Sequence, residues 1–258
     1  MKISKIEKKK RLYKIEMSDQ STYYVTEDTI VRFMLSKDKE ISLKELDQIQ
    51  NFAQFSHGKN LALYFLSFQN RTSAQVKDYL TKHAIEAAII PDIIANLEAD
   101  NWLNDEQYIA NYLRQNTSSG DKGPLVIKQK LQQKGLNKEQ IEAQLSAIDF
   151  EPIAKKLAQH LQSKYANKYP VQAQLTKIKQ QLRNKGFSYA LIQEVTDSLA
   201  FASDDEQTAQ LLAKDFEKLY RNYRKKYEDF ALHQKLFQGL YRKGYDSDDI
   251  KAYLRQVL

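Results

Sequence analysis

Apolar residues recur along this chain in two rhythms. At the start they alternate with polar ones: Ile3 and Ile6, then Leu12, Tyr13, Ile15 and Met17 and, after the turn-forming Ser18-Asp19-Gln20-Ser21, the run Thr22-Tyr23-Tyr24-Val25. A period of two sends apolar side chains to one face of a strand, so a small antiparallel sheet is predicted. Thr26 then caps a short helix over 27–35, with Glu27 and Asp28 in the first turn, where the helix dipole favours acids. A second helical pattern begins after Ser42, with Leu43, Leu46, Ile49 and Phe52 on one stripe.

From about Lys59 the period is helical to the C-terminus, and one pattern returns four times. It reads Val76, Leu80, His83, Ala84, Ile85; then Ile127, Leu131, Lys134, Gly135, Leu136; then Ile178, Leu182, Lys185, Gly186, Phe187; then Leu236, Leu240, Lys243, Gly244, Tyr245, at spacings of 51, 51 and 58 residues. Ile90, Ile141, Ile192 and Ile250 follow at a constant offset, and so do Leu97, Ile148, Leu199 and Val257. Such self-similarity marks a tandem array in which each unit buries its apolar face against its neighbours. The predicted fold is mainly α: an elongated, curved array of three-helix repeats with a small N-terminal β-containing segment. The expected divisions are 1–58, 59–100, 101–149, 150–202 and 203–258, with helices near 59–68, 72–83 and 86–99 in the first unit and a long helix over 204–227 in the last.

The middle joint of each unit has a physical rationale. A Gly just past a helix adopts the left-handed conformation that closes the preceding carbonyls, and the basic residue before it meets the negative end of the dipole. Asn137, Ser188 and Asp246 then cap the next helix, and Gln140 is placed to complete a capping box with Asn137. Leu136, Phe187 and Tyr245, between Gly and cap, pin the turn to the core. Ala84 and Glu86 replace Gly and cap in the first unit, whose joint should be the least regular.

Little in the chain resembles catalytic machinery. The absence of cysteine removes disulfides, thiolate chemistry and Cys-ligated metal. His57, His83, His160 and His233 are scattered, and Gly120-Asp121-Lys122-Gly123-Pro124 lacks the spacing of a phosphate-cradling loop, so no catalytic residue, metal or cofactor is expected. Asp204-Asp205-Glu206, Asp105-Glu106 and Asp246 with Asp248 and Asp249 are read as helix openings. Neither a signal peptide nor a membrane span is expected, and a cytoplasmic monomer is.

Charge changes the picture more. Residues 1–119 hold 16 basic and 16 acidic side chains, whereas 120–258 hold 24 and 17, which accounts for the whole net charge of +7. The second helices are basic, with Lys128, Lys130 and Lys134; Lys177, Lys179, Arg183 and Lys185; and Lys235, Arg242 and Lys243, while the third helices lean acidic. Stacking would align these cations into a stripe suited to a phosphate backbone or an acidic groove. Dipole complementarity alone accounts for cations at helix ends, Lys134, Lys185 and Lys243 above all. The run Phe216 to Tyr227, with Arg221 and Arg224 among its tyrosines, divides between packing and a binding surface. A sequence-reading helix-turn-helix is disfavoured, because its groove-entering helix would be acidic.

The stretch Leu103-Asn104-Asp105-Glu106-Gln107-Tyr108-Ile109-Ala110, the Lys122-Gly123-Pro124 tripeptide and Leu131-Gln132-Gln133-Lys134-Gly135-Leu136 resemble the RecX family, regulators of the recombinase RecA. Arg71-Thr72-Ser73 with Tyr79-Leu80 is similar to that family's opening, although His83-Ala84 departs from the usual Lys-Gly. The resemblance covers about 59–258, with four units where three are common. It implies a non-enzymatic protein that binds RecA filaments and restrains strand exchange, ATP hydrolysis and coprotease activity, with weak, sequence-independent affinity for single- or double-stranded DNA. The other reading is a nonspecific single-stranded DNA-binding protein that competes for DNA.

Overall fold

The structure, a computed structural model, describes residues 1–201 and 205–258, which form three strands and thirteen helices. They fall into two compact units, residues 1–112 with 130–144, and 113–129 with 145–258.

The first unit opens on the expected sheet. Strands β1 (Ile3–Lys8), β2 (Tyr13–Met17) and β3 (Thr22–Val25) pair antiparallel in that order, with a register shift between Ile3 and Lys5. Ile3, Ile15, Met17 and Val25 face a core shared with Leu35, Ile41, Leu46, Ile49 and Ala53. Helix α1 (Glu27–Arg32) is shorter than the sequence suggested, because Met34 turns left-handed at φ +47° and Leu35 is thereby carried into the core. Helix α2 (Leu43–Leu66) runs unbroken where two stretches were expected. Gly58, at the expected boundary, is a packing residue, since a Cβ there would run into Ile93. The first half of α2 covers the sheet, and its second half joins α3 (Ser73–Lys82) and α4 (Ile90–Ala99) around Val76, Leu80, Ile93 and Leu97.

The second pattern is carried by α5 (Asp105–Ser119), α6 (Pro124–Gln133) and α7 (Lys138–Ser146), whose Ile109, Ile127, Leu131 and Ile141 are fully buried. Asn137 caps α7 as expected, through Gln140 N at 3.0 Å. The Gln140 side chain departs from the expected box, its amide nitrogen reaching Glu106 Oε1 at 3.5 Å. The capping box that forms is Thr72 with Gln75 at the start of α3. In the second unit α8 (Glu151–Tyr165), α9 (Val171–Asn184) and α10 (Tyr189–Asp197) pack mutually. Helices α11 (Asp205–Tyr223), α12 (Asp229–Arg242) and α13 (Ser247–Val257) close around Leu212, Phe216, Leu236, Leu240 and Ile250. The expected opening of α11 at Asp204 lies outside the described residues. Its end comes at Tyr223, short of Tyr227: a bond from Lys226 N to Tyr223 O at 2.9 Å tightens the last turn, and Asp229 at φ +43° redirects the chain.

The recurring turns prove to be joints. Gly135, Gly186 and Gly244 stand at φ +80°, +89° and +93°, and each lies against the start of the preceding pattern's second helix. A Cβ on Gly135 would strike Ala74, one on Gly186 would lie 2.5 Å from Val126 N, and one on Gly244 would lie 2.9 Å from Ala173 N. Backbone bonds clasp the middle joint, Gly123 N donating to Lys185 O at 2.8 Å and Leu125 N to Gly186 O at 3.2 Å, while Thr72 Oγ1 donates to Lys134 O at 2.7 Å in the first. Ala84 keeps the left-handed conformation at φ +59° without glycine, and α4 begins six residues after it, where α7, α10 and α13 begin three after their glycines. That joint is the irregular one.

Candidate functional site

The twelve candidate cations separate by what they touch. Lys185 pairs with Asp121 across its joint, whereas Lys243 Nζ lies 2.8 Å from Asp215 Oδ1 on α11 and Lys134 sits 5.6 Å from the Tyr108 ring centroid on α5, each within its own helical group. Lys177 and Lys235, at equivalent positions on α9 and α12, lie over Tyr169 and Tyr227 at 4.4 and 5.7 Å, and Arg224 over Tyr220 at 5.7 Å. Lys179 donates to Gln193 Oε1 at 2.9 Å, and Arg242 Nε to Gln238 O at 3.2 Å. Lys128 is half-buried and hydrogen-bonded or paired, whereas Lys130, Arg183 and Arg221 are exposed. In the run 216–227 the aromatic rings of Phe216, Tyr220 and Tyr223 pack on the core and the cations face solvent.

Lys177, Arg242 and Lys243 come together at a groove of about 1010 Å³ between the start of α9 and the turn from α12 to α13. Lys168 and Lys218, which the sequence did not single out, line it too, with Tyr169, Tyr241 and Tyr245. The groove exists because α9 begins seven residues before Ile178, whereas α6 begins three before Ile127. Gly244 still lies against Ala173, but among the described residues no hydrogen bond links Lys243 or Gly244 to α9. Asp215 is engaged from two sides, by Lys243 and by Tyr245 Oη at 3.0 Å. Burial, and then that bond, push the Tyr245 phenol above its usual range, so it stays a neutral donor. No ion pair engages Lys168, Lys177, Lys218 or Arg242 among the described residues, which leaves a cationic, tyrosine-walled surface open to anions.

Among the described residues there is no group of three or more side chains placed to hold a metal ion, and no helix is long and apolar enough to cross a membrane. His57 is half-buried, and burial, then the proximity of His83, lower its pKa.

Family models match three stretches: the RecX first three-helix domain at 59–97, the second at 104–145 and the third at 205–254. Helices α8–α10 fall between the second and third. Over all 258 residues and the full length of each relative, the chain is 55% identical to regulatory protein RecX of Streptococcus uberis and 53% identical to that of Streptococcus pyogenes serotype M5. A crystal structure of regulatory protein RecX superposes with a TM-score of 0.61 at 30% identity, covering 76% of this chain and 99% of that one. RecX from Lactobacillus salivarius gives 0.53 at 34%, covering 57% and 96%. With three of its helical groups matched by domain models and its whole length shared with curated relatives, the chain belongs to the RecX family of regulatory proteins.

Proposed function

We propose that the protein binds the RecA nucleoprotein filament and modulates, mostly by inhibition, its recombinase, ATPase and coprotease activities without catalysing a reaction itself. The observation that carries this reading is the cationic groove beside α9, in a chain whose relatives are named as regulators. A filament presents phosphate and acidic protein surface at a regular repeat, and several weak contacts from successive units add through effective concentration. On this reading the protein is a cytoplasmic monomer of four three-helix units, divided at 59–100, 101–149, 150–202 and 203–258, behind an N-terminal segment. Its DNA affinity is weak and sequence-independent.

The test reverses two groove charges that hold no joint. K177E R242E should weaken inhibition of RecA ATPase and, if both cations meet phosphate, lower the salt slope of DNA binding by about 1.4. Inhibition equal to wild type would remove the groove from the interface. A second reading, competition for single-stranded DNA without contact to RecA, is favoured by the cation-over-tyrosine pairs at Tyr169 and Tyr227. Association with RecA in the absence of DNA would exclude it.

A further inference from the structure

We propose that the first unit holds a pocket for one unpaired nucleobase, with Trp102 as its stacking platform. The chain's single tryptophan is 58% exposed, yet its backbone is fixed. Asn101 turns left-handed at φ +60°, Trp102 N and Leu103 N both donate to Leu97 O, at 2.8 and 3.2 Å, and Leu103 is buried beside it. With more than half of its surface in solvent the ring contributes little to the core, and its surroundings are selective. Asn70, Asn104, Gln107 and Asn111 rim a pocket of about 130 Å³ with Trp102 and Tyr108, a space for one base rather than a strand.

Carboxamides present a donor and an acceptor side by side, the complement of a base edge. Here they are largely uncommitted: Gln107 Nε2 donates to Asn111 Oδ1 at 3.0 Å and Asn104 Oδ1 caps α5, while Asn70, the Asn104 and Asn111 amide nitrogens and Gln107 Oε1 have no hydrogen-bond partner among the described residues. Two cations lie close by, one in the lining and one over Tyr108, to meet phosphates of the same strand. Arg71 lines the pocket and lies 4.3 Å from the Phe65 ring centroid, and Lys134 stands over Tyr108. Aromatic platform, amide rim and flanking cations together select a nucleotide over a peptide, whose side chains would find few apolar walls. The pocket is separate from the groove beside α9 and needs no RecA, so either site stands if the other falls.

Trp102 reports on its own pocket. Titrating the full chain, without RecA, with a twelve-residue deoxyadenosine oligonucleotide should quench its fluorescence saturably, and an abasic strand of equal length should bind about tenfold more weakly. Q107A N111A, which spares the helix cap, should cost about tenfold in affinity with its circular dichroism unchanged. K134A should lower the salt slope by about 0.7. Absence of quenching, equal affinity for the abasic strand, or full affinity in Q107A N111A would each overturn the proposal; a peptide-binding pocket would leave Trp102 emission unmoved by the oligonucleotide.

Discussion

Replacing Gly186 by alanine tests the joint directly. At φ +89° an L-residue incurs about 1–2 kcal/mol of backbone strain. The new Cβ, 2.5 Å from Val126 N and 2.8 Å from Val126 Cγ2, forces the start of α6 away. The two clasping bonds, Gly123 N to Lys185 O and Leu125 N to Gly186 O, are then stretched or lost, at about 1 kcal/mol each. Alanine stiffens the unfolded chain and returns about 0.4–1 kcal/mol. The net cost is about 2–4 kcal/mol, read as a lower urea midpoint by far-ultraviolet circular dichroism, with loss of hydrogen-exchange protection at Gly123 and Leu125. Gly244→Ala is the comparison: its φ is similar at +93°, but the nearest approach is 2.9 Å and no clasping bond exists to lose. After the same return from the unfolded chain it should cost about 0.5–1.5 kcal/mol. Equal costs at the two positions, or less than about 1 kcal/mol at Gly186, would refute the view that these turns are steric joints.

Other consequences are simpler to measure. Ala84→Gly relieves left-handed strain at an exposed position and should stabilise the first unit by about 0.5–1 kcal/mol in the same urea assay, after the entropic cost of glycine. Tyr245 has a raised pKa in the folded chain, so its contribution is complete below the unfolded tyrosine value of about 10 and is lost as pH rises through the folded value. Urea midpoints should therefore fall above about pH 10 by more in wild type than in Y245F. His57 titrates below its usual range, which gives stability that is present above about pH 6.5 and lost as pH falls through the folded value. By nuclear magnetic resonance, H83Q should move the His57 titration upward but not to the ordinary value, because burial is the larger cause.

How much of this was legible in the sequence depends on the kind of signal. Leu131, Leu182 and Leu240 declared themselves by period, and the glycines after them by chemistry, since one conformation at one position leaves few choices. What those glycines touch was not legible: Val126 and Ala173 are ordinary helix residues, and contact between units leaves no periodic trace. The role of Gly58 was illegible for the same reason, its missing side chain leaving room for Ile93 on another helix. The basic helices were read correctly as helices, yet telling Lys185 and Lys243, which hold ion pairs, from Lys177 and Arg242, which hold none among the described residues, required distances. Lys168 and Lys218 escaped notice because they belong to no repeated position. The amide cluster around Trp102 escaped because Asn and Gln have no helical period of their own.

The glycine turns also govern how such a chain lengthens by duplication. A copied unit inserted after the first begins with a helix start for the next turn to rest on and ends with a glycine that can rest on the one before. A unit inserted ahead of α3 would have to rest on a turn that carries the methyl group of Ala84 where the later turns carry only hydrogen. On that reasoning a left-handed turn with a bare backbone favours insertion behind the first copy, where glycine stands, over insertion ahead of it.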